Sequence, residues 1–217
     1  MKINMLVKVE LSNDRDYYFN DDRVKQIVSL LISESNSALF TEIINVINNV
    51  FDLASLDDKM PSLYGAYWEY ENLDEYGRIL YAIYRDHCHS NLRGAVLEKL
   101  IYELVNTKYR DENNLSISCN VLIDNWKSEK TVDVFYYSNI VCSGETYECK
   151  VNPLNLECNH IQNLKDIYIK SNKKIDAYFA SFASTKAIDL KIRDLGIQLG
   201  GIGIIGRENL LNIAKIE

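Results

Sequence analysis

Residues 131–153 read TVDVFYYSNIVCSGETYECKVNP, and their alternating pattern predicts two β-strands joined by a turn at 139–144. Side chains alternate between the two faces of a strand, so Glu148 and Lys150 project from the same face of the second strand. A hairpin would bring Asp133 of the first strand beside them. The stretch therefore predicts two carboxylates and one ammonium close together.

This group of charges has two interpretations. Ionised groups that converge on an apolar sheet carry a large desolvation cost unless they bind a cation or pair tightly. Asp133, Glu148 and Lys150 can therefore form a metal site. They can equally form an ordinary ion pair on a hairpin, which contributes little to stability when it is exposed.

The order of these residues resembles a known motif. Asp133, fourteen intervening residues and then Glu148-Cys149-Lys150 are similar to the D…ExK signature of the PD-(D/E)XK nuclease superfamily. Cys149 is a small hydrophobe at the variable, normally apolar position of the motif. Val132 stands where the name-giving proline of the family would be. The resemblance implies an α/β (α+β) fold with a restriction-endonuclease-like αβββαβ core around a central mixed sheet.

The resemblance also implies a set of catalytic residues. Mg²⁺, with Mn²⁺ as a substitute, would be held by the carboxylates of Asp133 and Glu148 and by the backbone carbonyl of Cys149. Glu98, on the predicted helix before the sheet, matches the family's additional helical glutamate and would join through a water. Lys150 would either orient and deprotonate the attacking water or stabilise the charge on the phosphate, and the sequence leaves both roles open.

Hydrophobic periodicity after residue 92 supports this core. The pattern predicts a helix over 92–105, a strand over 115–123, the two strands of the hairpin, a helix over 156–170, a strand over 175–182, a helix capped by Ser184 or Thr185 and ended by Gly196, and a strand over 197–205. This order is similar to the αβββαβ core with one final addition.

The first ninety residues read as a mainly helical subdomain preceded by a strand over 2–11. We divide the chain into a strand and helical subdomain over 1–60, an aromatic-rich helical connection over 61–91 and a nuclease-like core over 92–217. Pro61 sets the first boundary, because proline disfavours a helix that crosses it.

Three further residues are candidate substrate contacts. Gln162 and Lys165 lie on the predicted helix after the hairpin, on the side expected to face the acidic site. A solvated helix face is the alternative for both. Arg93 precedes Gly94 at the start of the predicted 92–105 helix, where close packing against the sheet or a substrate is expected.

Composition limits the classes of protein and of binding site that the chain can represent. The net charge of −7 disfavours a non-specific nucleic-acid coat but is compatible with a carboxylate site and local basic residues. Five irregularly spaced cysteines suit reduced thiols better than a disulfide framework. Residues 87–89 (His-Cys-His) and 158–160 (Cys-Asn-His) lack the ligand spacing of a structural zinc site. Without a signal peptide or membrane-length segment, we expect a cytoplasmic protein and no membrane partner.

Two functions remain. The first is a metal-dependent nuclease, most simply a DNA endonuclease of the restriction, repair or anti-phage defence type, with RNA as an alternative substrate. The second is a non-catalytic scaffold or regulatory subunit of the same fold. The tyrosine-rich segment over 64–84 can supply a homodimer or protein interface, but its composition favours tyrosines that belong to a helical core and its rim.

Overall fold

The computed structural model of the chain describes residues 5–12 and 16–215. Its helices are α1 (Asp16–Phe19), α2 (Asp22–Ser33), α3 (Ser37–Asn49), α4 (Leu53–Tyr67), α5 (Leu73–Tyr84), α6 (His89–Tyr109), α7 (Cys158–Lys170) and α8 (Thr185–Asp194). Its strands are β1 (Val7–Leu11), β2 (Leu115–Ile123), β3 (Trp126–Lys127), β4 (Val132–Ser138), β5 (Ser143–Cys149), β6 (Ile175–Ala180) and β7 (Gly203–Ile205). Short 3-10 segments cover Glu112–Asn114, Pro153–Asn155 and Arg207–Ala214.

The strands form one mixed sheet in the order β1, β2, β4, β5, β6, β7, with β3 paired to β2. Neighbours from β1 to β5 are antiparallel, whereas β5, β6 and β7 run parallel to one another. Parallel neighbours need a crossover, which α7 supplies before β6 and α8 before β7. The predicted α/β class with a central mixed sheet is confirmed.

Helices cover both faces of the sheet. Side chains of β4 alternate as its sequence predicts, so Val134 and Tyr136 pack into the large core formed with α2 to α6. Phe135 and Tyr137 pack on the opposite face, in a cluster that includes Ile167 of α7. In the part of the chain that the structure describes, no helix is both long and apolar enough to cross a membrane.

The N-terminal helices begin where the sequence places side-chain caps. The Asp21 side chain accepts a hydrogen bond from the Arg23 N–H at the start of α2. Asn36 accepts from the first turn of α3 in the same way. The helix α3 ends at Asn49, and a new helix begins at Leu53 because Asp52 caps it.

The expectation that no helix crosses Pro61 is wrong, because α4 continues through it. The missing N–H of Pro61 leaves the Asp57 carbonyl without its helical partner. Pro61 is exposed, so water can satisfy that carbonyl, and the buried Met60 and Leu63 hold the surrounding turns in the core. The boundaries after residues 60 and 91 fall inside α4 and α6, and the three-part division stays a prediction.

The last strand is shorter than predicted. Only Gly203–Ile205 of the expected 197–205 segment is a strand. Gly200 and Gly201 have positive φ angles of 62° and 100°, a backbone conformation incompatible with an extended strand. The final strand therefore starts after these two residues.

Candidate metal centre

The hairpin of β4 and β5 brings the predicted site residues to one end of the sheet. The antiparallel register pairs Val134 with Tyr147, and its extension places Asp133 opposite Glu148. Asp133 lies at the start of β4, and Lys150 directly follows the end of β5. The geometry expected from residues 131–153 is therefore present.

Asp133 is fixed by the backbone of the neighbouring strand. Its Oδ2 accepts a 2.7 Å hydrogen bond from the N–H of Cys149. The same oxygen lies 3.7 Å from Nζ of Lys150. Both Asp133 and Glu148 are buried, with 3% and 4% of their surface exposed. Such carboxylates require a nearby cation or hydrogen-bond donors to stay ionised.

Lys150 connects the oxygen groups. Its ammonium donates a hydrogen bond to Oε1 of Glu148 and another, of 3.2 Å, to the carbonyl of Cys149. With Asp133, it thus contacts all three oxygen groups that the sequence motif assigns to a metal ion. Burial by itself disfavours the ammonium, but the charges of Asp133 and Glu148 raise the pKa of Lys150 above its ordinary value.

These donors fit a hard cation. Mg²⁺ prefers carboxylate and carbonyl oxygens, which are the groups that Asp133, Glu148 and Cys149 present. The Lys150 ammonium stands where the three oxygen groups converge, so a metal ion bound to them would displace it. The Cys149 thiol is no competing ligand, because burial, reinforced by Asp133, raises its pKa well above the ordinary value.

Glu98 and the Glu148 carboxylate lie on opposite sides of β5. Glu98 projects from α6, which packs on the same face of the sheet as the Cys149 side chain, and the carboxylate helps to raise the thiol pKa. Glu148 points to the opposite face, where α7 packs. Glu98 and Lys150 nevertheless line one cavity of about 670 Å³. The structure thus places Glu98 beside the centre, and its role as a ligand through water stays a prediction.

A compact group of metal-ligating side chains lies elsewhere. Among the described residues, the one group of three whose ligand atoms all lie within 4.8 Å is Asp86, His87 and Cys88. Glu98, Asp133 and Glu148 therefore do not meet this spacing as a trio.

His87 and Cys88 were considered for zinc together with His89. His89 instead contacts the backbone carbonyls of Asp86 and Phe51 with its two ring nitrogens. The third member of the group with His87 and Cys88 is Asp86. Its carboxylate also accepts hydrogen bonds from Arg23 and from the N–H of Cys88.

His160 is a neighbour of the centre that sequence reasoning considered only for zinc. It lies in the first turn of α7, and its Nε2 is 3.8 Å from Oε1 of Glu148. Its Nδ1 accepts the N–H of Glu157, which leaves the proton of the neutral ring on Nε2, facing Glu148. Burial, reinforced by Lys150 and Lys130, lowers the pKa of His160 to about 4. One feature of the sequence indicates this contact. The connection between β5 and α7 is short, so the first turn of α7 must lie close to the end of β5.

Asn163 positions the approach to β4. This buried side chain accepts a 3.2 Å hydrogen bond from the N–H of Lys130 and donates another of 3.2 Å to its carbonyl. It thereby ties α7 to the loop that precedes Asp133. The strand β2, which pairs with β4, is irregular at Ser118, where φ is positive at 45°. Its neighbours Ile117 and Cys119 both pair with residues of β4, whereas Ser118 does not. Such irregularities re-aim side chains near functional sites.

The structure separates the three candidate substrate contacts. Arg93 lines the cavity, and its guanidinium donates to the carbonyls of Ile47 and Asn48 at the end of α3. Gln162 is exposed and donates to Asp166 on the same helix. The Lys165 side chain lies near Gly200, and neither it nor Gln162 lines the cavity.

No protein-family model matches the chain, and no curated protein is significantly similar to it in sequence.

Proposed function

We propose that the chain is a Mg²⁺-dependent nuclease that hydrolyses phosphodiester bonds of nucleic acid, with DNA as its first substrate class. One observation carries the proposal: carboxylate oxygens of Asp133 and Glu148 and the carbonyl of Cys149 surround a single cation, the Lys150 ammonium. Metal-dependent phosphodiester hydrolysis requires such a cluster of hard oxygen donors, and here Cys149 and Lys150 of the cluster also line a cavity.

The order of elements supports the proposal. From α6 onward the chain forms a helix, the strands β2, β4 and β5, the helix α7 and the strand β6, with only the two-residue β3 inserted. This order resembles the αβββαβ order of the restriction-endonuclease-like core. Asp133 lies on the second of the three strands, Glu148 lies on the third, and Lys150 directly follows it. Fold order alone does not carry a function, so the proposal depends on the site.

The residues of the candidate centre would have different roles in phosphodiester hydrolysis. A bound Mg²⁺ would neutralise phosphate charge and lower the pKa of a coordinated water. Asp133 is held ready to bind the ion by the N–H of Cys149, and Glu148 becomes available when the ammonium of Lys150 moves away. Lys150 lines the cavity, from which a phosphate can enter, and its charge then stabilises the phosphate oxygens as negative charge develops. His160, neutral at pH 7, faces Glu148 from the other side.

A cleavage assay tests the proposal. The full chain is incubated with supercoiled, linear duplex and single-stranded DNA and with single-stranded RNA, in Mg²⁺, Mn²⁺ or EDTA. We expect metal-dependent cleavage that falls about 100-fold or more in Asp133→Asn, Glu148→Gln and Lys150→Met. Glu129→Gln, an exposed carboxylate on the loop before β4, is the matched control and keeps full activity. Equal cleavage by the wild type and Asp133→Asn would show that the activity does not come from this site.

One observation favours a second function. Lys150 already contacts every oxygen group of the candidate centre, as a structural ion pair does. A non-catalytic scaffold of the same architecture would keep this pair and bind no metal. Titration of the wild type and of Asp133→Asn with Mn²⁺ separates the two functions: if the ion binds at this centre, it raises the melting temperature of the wild type and not that of the variant.

A further inference from the structure

The cavity beside the candidate centre extends well beyond it along α6. Ser90 and Glu98 both line it, and eight residues of α-helix span about 12 Å at 1.5 Å per residue. Glu98 and Lys150 mark the end nearest the candidate centre. Phe51, from the connection between α3 and α4, lines the region near the start of α6. The N-terminal part of the chain therefore lines a region of the cavity that the proposed hydrolysis does not itself require.

A buried positive charge lies in the lining of this cavity. The Arg93 side chain is 7% exposed, and its guanidinium donates hydrogen bonds to the carbonyls of Ile47 and Asn48. No carboxylate of the described residues lies within 4.0 Å of its guanidinium. The carbonyls satisfy donors but do not neutralise the charge. A buried cation that lacks an anionic partner indicates an anionic ligand, and the start of α6 favours negative charge at the same place.

Gly94 lies among the residues of α6 that line the cavity and has no side chain to fill it. Glycine inside a helix costs about 1 kcal/mol relative to alanine. A Cβ at Gly94 would meet no other atom within 4 Å, so the packing of the protein itself does not require glycine there. Gly94 lines the cavity, and the absence of a side chain lets a ligand approach the backbone of α6.

Phe51 offers an aromatic face beside the charge. Its side chain is 57% exposed, and the Arg93 guanidinium lies 5.4 Å from the ring centre. The carbonyl of Phe51 contacts Nε2 of His89 at 2.8 Å, which ties this connection to the first turn of α6. An exposed aromatic ring held next to a cation is the arrangement on which unpaired bases stack.

We propose that this cavity binds an unpaired nucleotide of a single-stranded nucleic acid, with a phosphate facing Arg93 and the base on Phe51. The inference rests on the proposed function and extends it, since the nucleotide would neighbour the phosphate cleaved at Lys150. Duplex binding generally uses many phosphate contacts. Among the described residues, two basic side chains line the cavity, Arg93 and Lys150, and the chain carries a net charge of −7. A single unpaired strand is the substrate class that fits.

A binding experiment without cleavage tests this proposal. In EDTA, fluorescence anisotropy measures binding of the full chain to labelled oligothymidylate and oligouridylate of about twelve nucleotides, with a duplex of equal length as competitor. We expect the single strand to bind about tenfold or more tightly than the duplex, because stacking contributes about 1–3 kcal/mol per base. Comparison of the thymidylate and uridylate arms separates DNA from RNA.

Gly94→Leu is the decisive variant, because its side chain enters the open cavity. It should weaken single-strand binding about tenfold or more, and Phe51→Ala should do the same. Gly65→Leu is the matched control: Gly65 is also helical, its Cβ would also meet no atom within 4 Å, and it does not line the cavity. Melting temperatures measured for all variants show whether each is folded.

The outcomes separate this inference from the nuclease proposal. If the duplex binds as tightly as the single strand, or if folded Gly94→Leu binds like the wild type, the nucleotide site is wrong even where metal-dependent cleavage is intact. If Gly94→Leu loses single-strand binding while the wild type cleaves no nucleic acid with Mg²⁺ or Mn²⁺, the site stands as a binding site and the nuclease proposal fails.

Discussion

The backbone N–H of Cys149 donates a 2.7 Å hydrogen bond to Oδ2 of Asp133, so the main chain of β5 holds the carboxylate of β4 in place. The bond lies in a buried part of the sheet and does not depend on a mobile side chain. It gives Asp133 two separate roles, one in satisfying the Cys149 N–H and one in presenting negative charge beside Lys150. Substitutions can separate these roles.

Asp133→Ala should destabilise the protein by about 1–3 kcal/mol, because it leaves the buried N–H of Cys149 without an acceptor. Asp133→Asn should cost less, since the amide oxygen can still accept that hydrogen bond. Both variants should lose the stabilisation by Mn²⁺ expected of the wild type. Urea denaturation with and without Mn²⁺ measures both effects. An Asp133→Asn protein that Mn²⁺ stabilises as strongly as the wild type would remove Asp133 from the metal site.

Lys150→Met should have opposite effects on folding and on metal binding. Without metal it leaves Glu148 buried without this cation, and breaking a buried ion pair costs about 3–5 kcal/mol. Added Mg²⁺ should recover more stability than it gives the wild type, because no ammonium competes for the oxygens. Cleavage should nevertheless be lost. Isothermal titration with Mg²⁺ and the cleavage assay check these points, and unchanged or weaker metal affinity would contradict competition between Lys150 and the ion.

The hairpin was predictable because its side-chain periodicity and its charges agree. Alternation over β4 specifies which residues pack on each of the two faces of the sheet, and the pairing of β4 with β5 places Asp133 opposite Glu148. The predicted strand over 115–123 is likewise confirmed at both ends. Local patterns determine such elements when the chain alternates with a period of two and turn residues bound it on both sides.

The surroundings of the centre were less predictable, because they depend on how elements pack in space. The helical pattern of α6 places Glu98 on the sheet without specifying that the Glu148 carboxylate points to the opposite face. His160 approaches Glu148 only through the position of α7, and no motif marks it. The cavity is formed between Phe51 and α6, which are far apart in the sequence, so neither segment alone predicts it.

Pro61→Ala should stabilise the protein, by roughly 1–3 kcal/mol. The substitution restores an N–H that can bond the Asp57 carbonyl within α4, and proline inside a helix costs about 3 kcal/mol relative to alanine. Part of the gain is offset because proline also restricts the unfolded chain. Chemical denaturation measures the change, with Pro153→Ala as a control outside any α-helix. A destabilised Pro61→Ala protein would mean that α4 is not a continuous helix.

Asn163→Leu should loosen the loop before β4 while leaving α7 in place. The variant removes both hydrogen bonds to the backbone of Lys130. The Lys130 carbonyl keeps its hydrogen bond from the Ser128 hydroxyl, whereas the N–H loses its side-chain acceptor, at a cost of about 1–3 kcal/mol. Hydrogen exchange should accelerate at residues 128–131 more than elsewhere. Asn159→Leu, at an exposed position on the same helix, serves as the control. Uniformly faster exchange throughout the chain would indicate global destabilisation instead of a positioning role.

An ion pair network joins the start of α2 to the end of α5. The Arg23 guanidinium contacts Asp21 at 2.8 Å and Asp86 at 2.9 Å, and it also donates to the carbonyl of Ala82. The hydrogen bond from Arg23 is the largest influence that lowers the pKa of Asp21. For Asp86 the largest influence is the N–H of Cys88, followed by Arg23. Both carboxyl groups therefore have a lower pKa in the folded protein than in the unfolded chain.

The contribution of this network to stability should disappear in acid. Because the folded pKa values are lowered, the stabilisation is complete above the unfolded pKa of about 4 and is lost as the pH falls through the folded values. Arg23→Met should be less stable than the wild type by about 1 kcal/mol at pH 7. The difference should shrink near pH 3, where the hydrogen bond to Ala82 remains. Urea denaturation at both pH values measures it, and Lys25→Met, which removes an exposed pair on the same helix, is the control. A difference that is the same at pH 3 and pH 7 would show that Asp21 and Asp86 do not contribute through their charge.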